Sequence, residues 1–287
     1  MSANAADRFL NCVMKRSDSD SLFRIGAFLM ITILAPAIAI VVMHEFLGSG
    51  SSIADTGVEL VAWTAILYAL YLEVKGLNLH LARDAEWADS LASYARFRGR
   101  GSDEIDSLAG SMRDAGNGRA MQVTKYTFLA MAVVNIAAAV LTGNRDIGVT
   151  SQSILTWAAL ILTVVEMAFT SAYILETITK HNFQQCKLTS LFVESMGGII
   201  NIGEMSTGAA KEKIDLLPHI ILLMITLGVY SLFFNLFVLH RMNNHISCQW
   251  EYEERLLEEI AKAEGATDVR RIEVERKKVK AILGIFQ

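Results

Sequence analysis

Long apolar runs that carry almost no charged residues are the feature that most constrains this chain. A helix that crosses a bilayer needs roughly 17–25 mostly apolar residues. Four runs meet that requirement, and they extend from Ile25 to about Leu47, from Val58 to about Leu79, from Tyr126 to about Thr142 and from Ile154 to about Ile178. The sequence is 53% hydrophobic and its charges are concentrated between these runs. It therefore predicts an all-α, polytopic membrane protein with four transmembrane helices.

A fifth apolar stretch, from Ile214 to Leu239, is interrupted by Gly228. It is long enough to cross the membrane once. It could instead enter near Leu216, turn at Gly228 and return near His240 as a re-entrant hairpin. Each arm of such a hairpin would have about 12 residues and reach roughly 18 Å, which is short of the roughly 30 Å hydrocarbon core. The sequence favours the hairpin and leaves the straight crossing open.

The distribution of Lys and Arg predicts the orientation of these helices. The link 48–57 between the first two runs has neither residue, and the link 143–153 has only Arg145. All the other Lys and Arg residues except Lys75 lie in the remaining links and the two termini. Because short basic segments stay in the cytoplasm, we expect a cell-membrane protein with a cytoplasmic N-terminus. The hairpin would also keep the C-terminal tail cytoplasmic.

Three stretches align on a histidine at the end of an apolar helix, namely those around His80, His181 and His245. Apolar residues stand three positions before each histidine and seven and eleven positions after it, and a glycine follows. These spacings put the apolar residues on one face of a continuing helix. The shared positions are Leu77, Ile178 and Met242; Trp87, Leu188 and Tyr252; Leu91, Phe192 and Leu256; and Gly99, Gly197 and Gly265.

The alignment indicates a threefold internal repeat in which membrane helices extend into cytoplasmic helical hairpins. Chance similarity of three amphipathic helices is the alternative. The repeat divides the chain into 1–123, with two membrane helices and a cytoplasmic hairpin, 124–213, with two more and a cytoplasmic helix, and 214–287, with the fifth segment and a charged tail.

The stretch 218–245 resembles the signature of a prokaryotic membrane family known as domain of unknown function 4234. The residues that carry the resemblance are Thr226, Leu227, Gly228, Val229, Tyr230, Phe233, Asn243 and His245. It covers the C-terminal third only. The resemblance implies a membrane module and no particular reaction.

Polar residues at membrane depth are candidate functional residues, because burying them in hydrocarbon is unfavourable. Glu166 lies near the middle of the fourth run and could relay protons or bind a cation. Asn135 and Asn235 are candidates for hydrogen bonds between helices. A carboxyl group held neutral inside the bundle is the alternative for Glu166.

His80, His181 and His245 could bind zinc or a similar cation if the three repeats surround one axis. No HExxH, CxxC or pair of carboxylates at ligand spacing supports that possibility. Capping or contact with lipid headgroups is the favoured role of these histidines. The sequence accordingly predicts no metal, no cofactor and no catalytic residue.

Partners are predicted from the charged helices. The C-terminal stretch 267–286 is basic and amphipathic, so it could lie on anionic lipid. Self-association or a protein partner is also expected, and the net charge of −4 gives no case for nucleic acid. The function that we expect is that of a non-enzymatic scaffold, sensor or assembly subunit acting through its cytoplasmic helices. An oligomeric ion channel or transporter using Glu166 is the alternative.

Overall fold

The computed structural model describes residues 3–20, 25–48, 52–116, 149–203, 205, 215, 217–226 and 230–265, with a few more between 129 and 140. All regular elements in these ranges are helical. Asn135, Gly228, more than half of the run from Tyr126 to Thr142 and the basic stretch 267–286 lie outside the described residues. The predictions that rest on them stay predictions.

The N-terminal part consists of short helices followed by a membrane-length apolar segment. The elements are α1 (Ala3–Met14), α2 (Arg16–Ser19), α3 (Ile25–Leu29), a π-helical turn (Met30–Leu34) and α4 (Ala35–Leu47). Pro36 explains the π-helical turn, because proline has no N–H to donate to the carbonyl four residues earlier.

Two very long helices, one short helix and a pair of helices follow. They are α5 (Ser52–Phe97), α6 (Asp103–Gly116), α7 (Val149–Ser195), α8 (Leu217–Ile225) and α9 (Tyr230–Ala263). Within the described residues, Met30–Leu47, Ala54–Phe97 and Leu160–Ser195 are long and apolar enough to cross a membrane. They correspond to the first, second and fourth predicted runs.

Glycines end the long helices close to the predicted positions. Gly99 has φ +69° and Gly265 has φ +63°, values that disfavour residues with a side chain. At Gly99 the backbone N–H of Arg100 donates to Ala95 O and that of Gly99 to Arg96 O, which is a Schellman cap. After α7 the left-handed residue is Gly198, with φ +80°, and not the predicted Gly197.

The chain reverses direction between α8 and α9. The rings of His219 and Phe234 are 4.5 Å apart, although 15 residues of straight helix would separate them by roughly 22 Å. The Tyr230 hydroxyl also lies 2.9 Å from Nδ1 of His219. The two helices therefore lie side by side, which is the geometry expected of a helical hairpin.

Two apolar cores follow one another along α5, α7 and α9. The residues three positions before the aligned histidines lie in one core, with Phe28, Leu70 and Phe234. The residues seven and eleven positions after them lie in the other core, together with Phe9 of α1 and Ile105 of α6. Equivalent positions thus share a layer on each helix, so α5, α7 and α9 run in the same direction. The three histidines lie where the two cores meet.

Candidate metal centre

His80, His181 and His245 converge from α5, α7 and α9 on one point in the interior. Their ring centroids are 5.4, 5.5 and 5.6 Å apart, and each pair of rings is close to perpendicular, with interplanar angles of 79° to 89°. All three side chains are buried. The sequence alignment placed these residues at equivalent positions, and the structure brings all of them together.

Asp84 completes the cluster from the next turn of α5. Its Oδ2 accepts a hydrogen bond from His181 Nε2 at 2.6 Å and lies 3.3 Å from His80 Nε2. The Nε2 atoms of His80 and His245 are also 3.3 Å apart. One ligand atom from each of these four side chains lies within 4.8 Å of the other three.

These separations match those of a small metal site. Zn–N bonds of 2.0–2.1 Å in a tetrahedron place neighbouring ligand atoms about 3.3 Å apart. The separation of His80 Nε2 from both His245 Nε2 and Asp84 Oδ2 already has that value. The His181–Asp84 pair is closer because a proton joins its two atoms, and a metal ion would replace that proton. The arrangement could therefore hold a cation without a large rearrangement.

A layer of amides surrounds Asp84 one turn beyond the histidines. Gln185 and Gln249 stand four residues after His181 and His245, as Asp84 stands four after His80. Their amide nitrogens donate to Asp84 at 3.3 and 2.7 Å. Both amides are fully buried, and their Oε1 atoms have no hydrogen-bond partner among the described residues. This layer fixes the carboxylate of Asp84 beneath the three rings.

Arg83 and Asp20 lie behind His80 and Asp84 on one side of the centre. Asp20 comes from the segment after α2, and its Oδ1 accepts a hydrogen bond from Nδ1–H of His80 at 3.1 Å. Its Oδ2 accepts from Arg83 at 2.5 Å and from the indole N–H of Trp250 at 2.8 Å. Arg83 also pairs with Asp84 and with Glu253. The bond to Asp20 keeps the Nε2 lone pair of His80 directed at the cluster, as carboxylates do behind metal-bound histidines.

Negative and positive charges are nearly equal in number around the centre. Four carboxylates, those of Asp20, Asp84, Glu253 and Glu254, face the guanidinium groups of Arg16 and Arg83 among the described residues. Burial would raise the pKa of Asp20, but the charges of Arg83 and His80 outweigh it and hold that pKa below its ordinary value. Burial raises the pKa of Glu253, with Arg83 opposing it. With Glu253 ionised, the four carboxylates outnumber the positive charges of Arg16, Arg83 and His80 by one, and with Glu253 protonated the charges balance.

His245 is kept neutral by its surroundings. Burial lowers the pKa of His245 well below its usual value, and the neighbouring His80 and His181 lower it further. Its Nδ1 has no hydrogen-bond partner among the described residues. A neutral imidazole is the form that binds a metal ion, so His245 does not have to lose a proton at neutral pH before it can act as a ligand.

The predicted intramembrane residues lie elsewhere. Asn235 is buried beside Glu73, and its amide nitrogen donates to both carboxylate oxygens of Glu73 at 3.0 Å. Glu166 is buried in α7, and neither of its carboxylate oxygens has a partner among the described residues. The structure therefore does not join Glu166 and Asn235 into one site.

Sequence reasoning missed Asp84, Asp20 and Arg83. The His80–Asp84 spacing of four residues was visible, and it puts both side chains on one face of a helix. Asp20 had no such signal, because it reaches the centre from a segment 60 positions earlier. Comparison with family models, with curated proteins and with solved structures found no match to this chain. The resemblance of 218–245 to the family of unknown function stays a prediction.

Proposed function

We propose that this chain is a non-enzymatic, multi-pass membrane protein that binds one divalent transition-metal ion at its histidine centre. The ion would fix the junction between the membrane helices and the cytoplasmic bundle, so that the protein works as a metal-dependent scaffold or sensor. The observation that carries the proposal is the convergence of three imidazoles and one carboxylate, all buried, with one ligand atom of each within 4.8 Å of the others. This replaces the expectation from sequence that the histidines cap helices or touch lipid.

The ligand set selects the class of ion. Imidazole nitrogens suit Zn²⁺ and its neighbours in the first transition row, whereas Mg²⁺ and Ca²⁺ prefer sites made only of oxygen. His80, His181 and His245 supply nitrogen, and Asp84 supplies the single oxygen. Zn²⁺ accepts four such ligands in a tetrahedron. A site with this composition is expected to prefer Zn²⁺ or Co²⁺ to Mg²⁺.

The surroundings of the centre favour a binding role over catalysis. On the membrane side it is covered by Leu77, Ile178 and Met242, and on the other side by Trp87, Leu188 and Tyr252, all of them almost completely buried. A catalytic zinc needs an open position for water or substrate, whereas a structural zinc has four protein ligands. Four protein ligands between two apolar layers correspond to the structural kind.

The membrane topology belongs to the same proposal. The common direction of α5, α7 and α9 and the reversal before α9 support a threefold repeat with a re-entrant segment between Leu217 and Leu239. In that arrangement all three histidines lie at the cytoplasmic boundary, and both termini are cytoplasmic. The basic stretch 267–286 would meet anionic lipid, and self-association or a protein partner would use the cytoplasmic helices.

Metal binding is tested directly on the purified protein in detergent. Metal-stripped protein is titrated with Co²⁺, whose visible absorption reports tetrahedral coordination, and then with competing Zn²⁺. We expect one ion per chain in the wild type and in His44→Ala, whose imidazole is partly exposed and outside the cluster. His181→Ala should bind at least about 10-fold more weakly. A wild type that binds no ion, or equal binding by His181→Ala, would overturn the proposal.

Transport is the second candidate, and the unpartnered carboxylate of Glu166 is the observation that favours it. The apolar layer of Leu77, Ile178 and Met242 separates the membrane half from the histidine centre, which argues against a continuous path. Protein in liposomes is assayed for ion flux as wild type and as Glu166→Gln. Flux that is lost in the variant would establish transport, and no flux in either supports the binding role.

A further inference from the structure

The N-terminal segment 3–20 contacts the metal centre from one side. Asp20 ends this segment, and it is buried between α5 and α9, where it contacts His80, Arg83 and Trp250. Arg16 lies on the same segment, has only 3% of its side chain exposed and donates to Glu254 at 2.7 Å. Among the described residues before α5, only this segment reaches the centre.

We propose that Asp20 is a positioning residue of the metal site and that metal binding holds the N-terminal segment 3–20 in its docked position. The inference rests on the proposed metal site and names how that site is regulated. Docking of the segment and binding of the ion would then be two linked equilibria. The position of the segment 3–20, which leads into α3, would then depend on whether the ion is bound.

The first step of the argument is the tautomer of His80. In the neutral form of His80, donation of Nδ1–H to Asp20 leaves the lone pair on Nε2, and Nε2 faces Asp84 and His245. If the segment leaves, the proton is free to move to Nε2, where it would block the ligand position. Mutation of a carboxylate that holds a metal-bound histidine typically weakens metal affinity by about 10–100-fold.

The second step is the charge on Asp20. Its buried carboxylate is stabilised by Arg83, but Arg83 is shared with Asp84 and Glu253. A divalent ion would draw the charge of Asp84 to itself and leave Arg83 more available to Asp20. Binding of the ion thus favours the docked segment electrostatically, in addition to the hydrogen bond through His80.

The third step is reciprocity. If docking of the segment raises the affinity for the ion by some factor, the ion must raise the docking equilibrium by the same factor. Phe9 of α1 packs on Trp87 of α5 with ring centroids 6.5 Å apart, and this contact holds one end of the segment. Arg16 and Asp20 provide the polar contacts at its other end. An effect of 10–100-fold on affinity is therefore expected as an equal effect on docking.

The test measures the ion and the segment separately. Hydrogen exchange of residues 3–20 is followed by mass spectrometry on the full-length protein in detergent, with and without saturating Zn²⁺, and Zn²⁺ affinity is measured on the same samples. We expect Zn²⁺ to slow exchange in this segment by about 10–100-fold in the wild type. Asp20→Asn should bind Zn²⁺ about 10–100-fold more weakly, so that at subsaturating Zn²⁺ residues 3–20 are less protected and exchange faster than in the wild type.

Lys15→Gln is the matched control. It removes an ion pair between the same segment and Glu86 of α5, with both side chains more than half exposed, and it touches no residue of the centre. Its Zn²⁺ affinity and its response to Zn²⁺ should equal those of the wild type. If Asp20→Asn fails to fold, Trp250→Phe replaces it, because this change removes a hydrogen bond to Asp20 and no ligand; it should also weaken Zn²⁺ binding.

The outcomes distinguish the two proposals. A wild type that binds one ion with unchanged exchange in residues 3–20 would overturn the docking inference and leave the metal site standing. Equal Zn²⁺ affinity in Asp20→Asn and wild type would also overturn it. A wild type that binds no ion would overturn the metal site, and the docking inference with it.

Discussion

The buried polar groups of this protein have different partners in the membrane-length, apolar half of the helices and at the junction between the two apolar cores. At the junction, Arg83 contacts Asp20, Asp84 and Glu253, so each buried carboxylate has a cationic partner. In the membrane half, Glu73 has only the amide of Asn235, and Glu166 has no partner among the described residues. Charge is thus concentrated where the helices leave the apolar region.

The difference follows from the solvent on either side of the bundle. An ionised group surrounded by hydrocarbon loses its hydration, and no other interaction compensates for the loss. A group at the boundary can instead pair with an opposite charge that does not have to enter the lipid. The junction can therefore keep a dense cluster of paired charges. The predictions below test this contrast, from the largest expected effect to the smallest.

Removing the central cation of the junction should have the largest effect. Arg83→Leu leaves the buried carboxylates of Asp20, Asp84 and Glu253 without their shared partner, and breaking a buried ion pair typically destabilises by about 3–5 kcal/mol. Arg113→Leu is the control, because its pair with Asp89 is about half exposed and is worth at most about 1 kcal/mol. Thermal unfolding in detergent should separate the two variants clearly, and equal melting temperatures would show that the cluster is not held by charge.

Metal removal should have the next largest effect. An ion present at 100 times its dissociation constant stabilises the folded state by about 2.7 kcal/mol. Zn²⁺ at that excess should therefore raise the melting temperature of metal-stripped wild type by roughly 5–10 °C. His245→Phe keeps a buried ring but removes a ligand, so the rise should disappear. A similar rise in His245→Phe would locate the bound ion elsewhere.

The sequence predicted the three histidines as a set but not the site that they form. Aligned apolar positions report which face of a helix is buried, and so they predicted that His80, His181 and His245 occupy equivalent places. Whether the three faces meet depends on packing between helices that are far apart in the chain. No local pattern contains that information, and for this reason the sequence favoured capping or headgroup contact over metal binding for these histidines.

Asp20 is a second residue whose place in the site the sequence did not predict. Ser and Asp residues before the first apolar run are typical of helix caps, and nothing in their spacing predicts a path back to α5. The long apolar runs, by contrast, correctly predicted three of the helices that are long enough to span a membrane. Hydropathy reports burial of a whole segment, whereas a polar site depends on individual contacts.

Within the membrane half, the pair of Glu73 and Asn235 should have a moderate effect. Hydrogen bonds between membrane helices are worth about 0.6 kcal/mol on average and at most about 1.7 kcal/mol. Asn235→Leu removes the donor to both oxygens of Glu73 and should destabilise by about 1 kcal/mol in thermal unfolding. Glu73→Gln is the matched variant, because an amide still pairs with Asn235, and its loss should be smaller. A loss as large as that of Arg83→Leu would remove the contrast between the two regions.

Glu166→Gln should have the smallest effect of all. Neither carboxylate oxygen of Glu166 has a hydrogen-bond partner among the described residues, so the substitution breaks no described bond and keeps the volume of the side chain. An isosteric change that removes no interaction usually shifts stability by about 0.5 kcal/mol or less. Thermal unfolding of Glu166→Gln should therefore coincide with that of the wild type. A loss above about 1 kcal/mol would mean that Glu166 is held by an interaction outside the described residues, and the membrane half would then contain a paired charge like those of the junction.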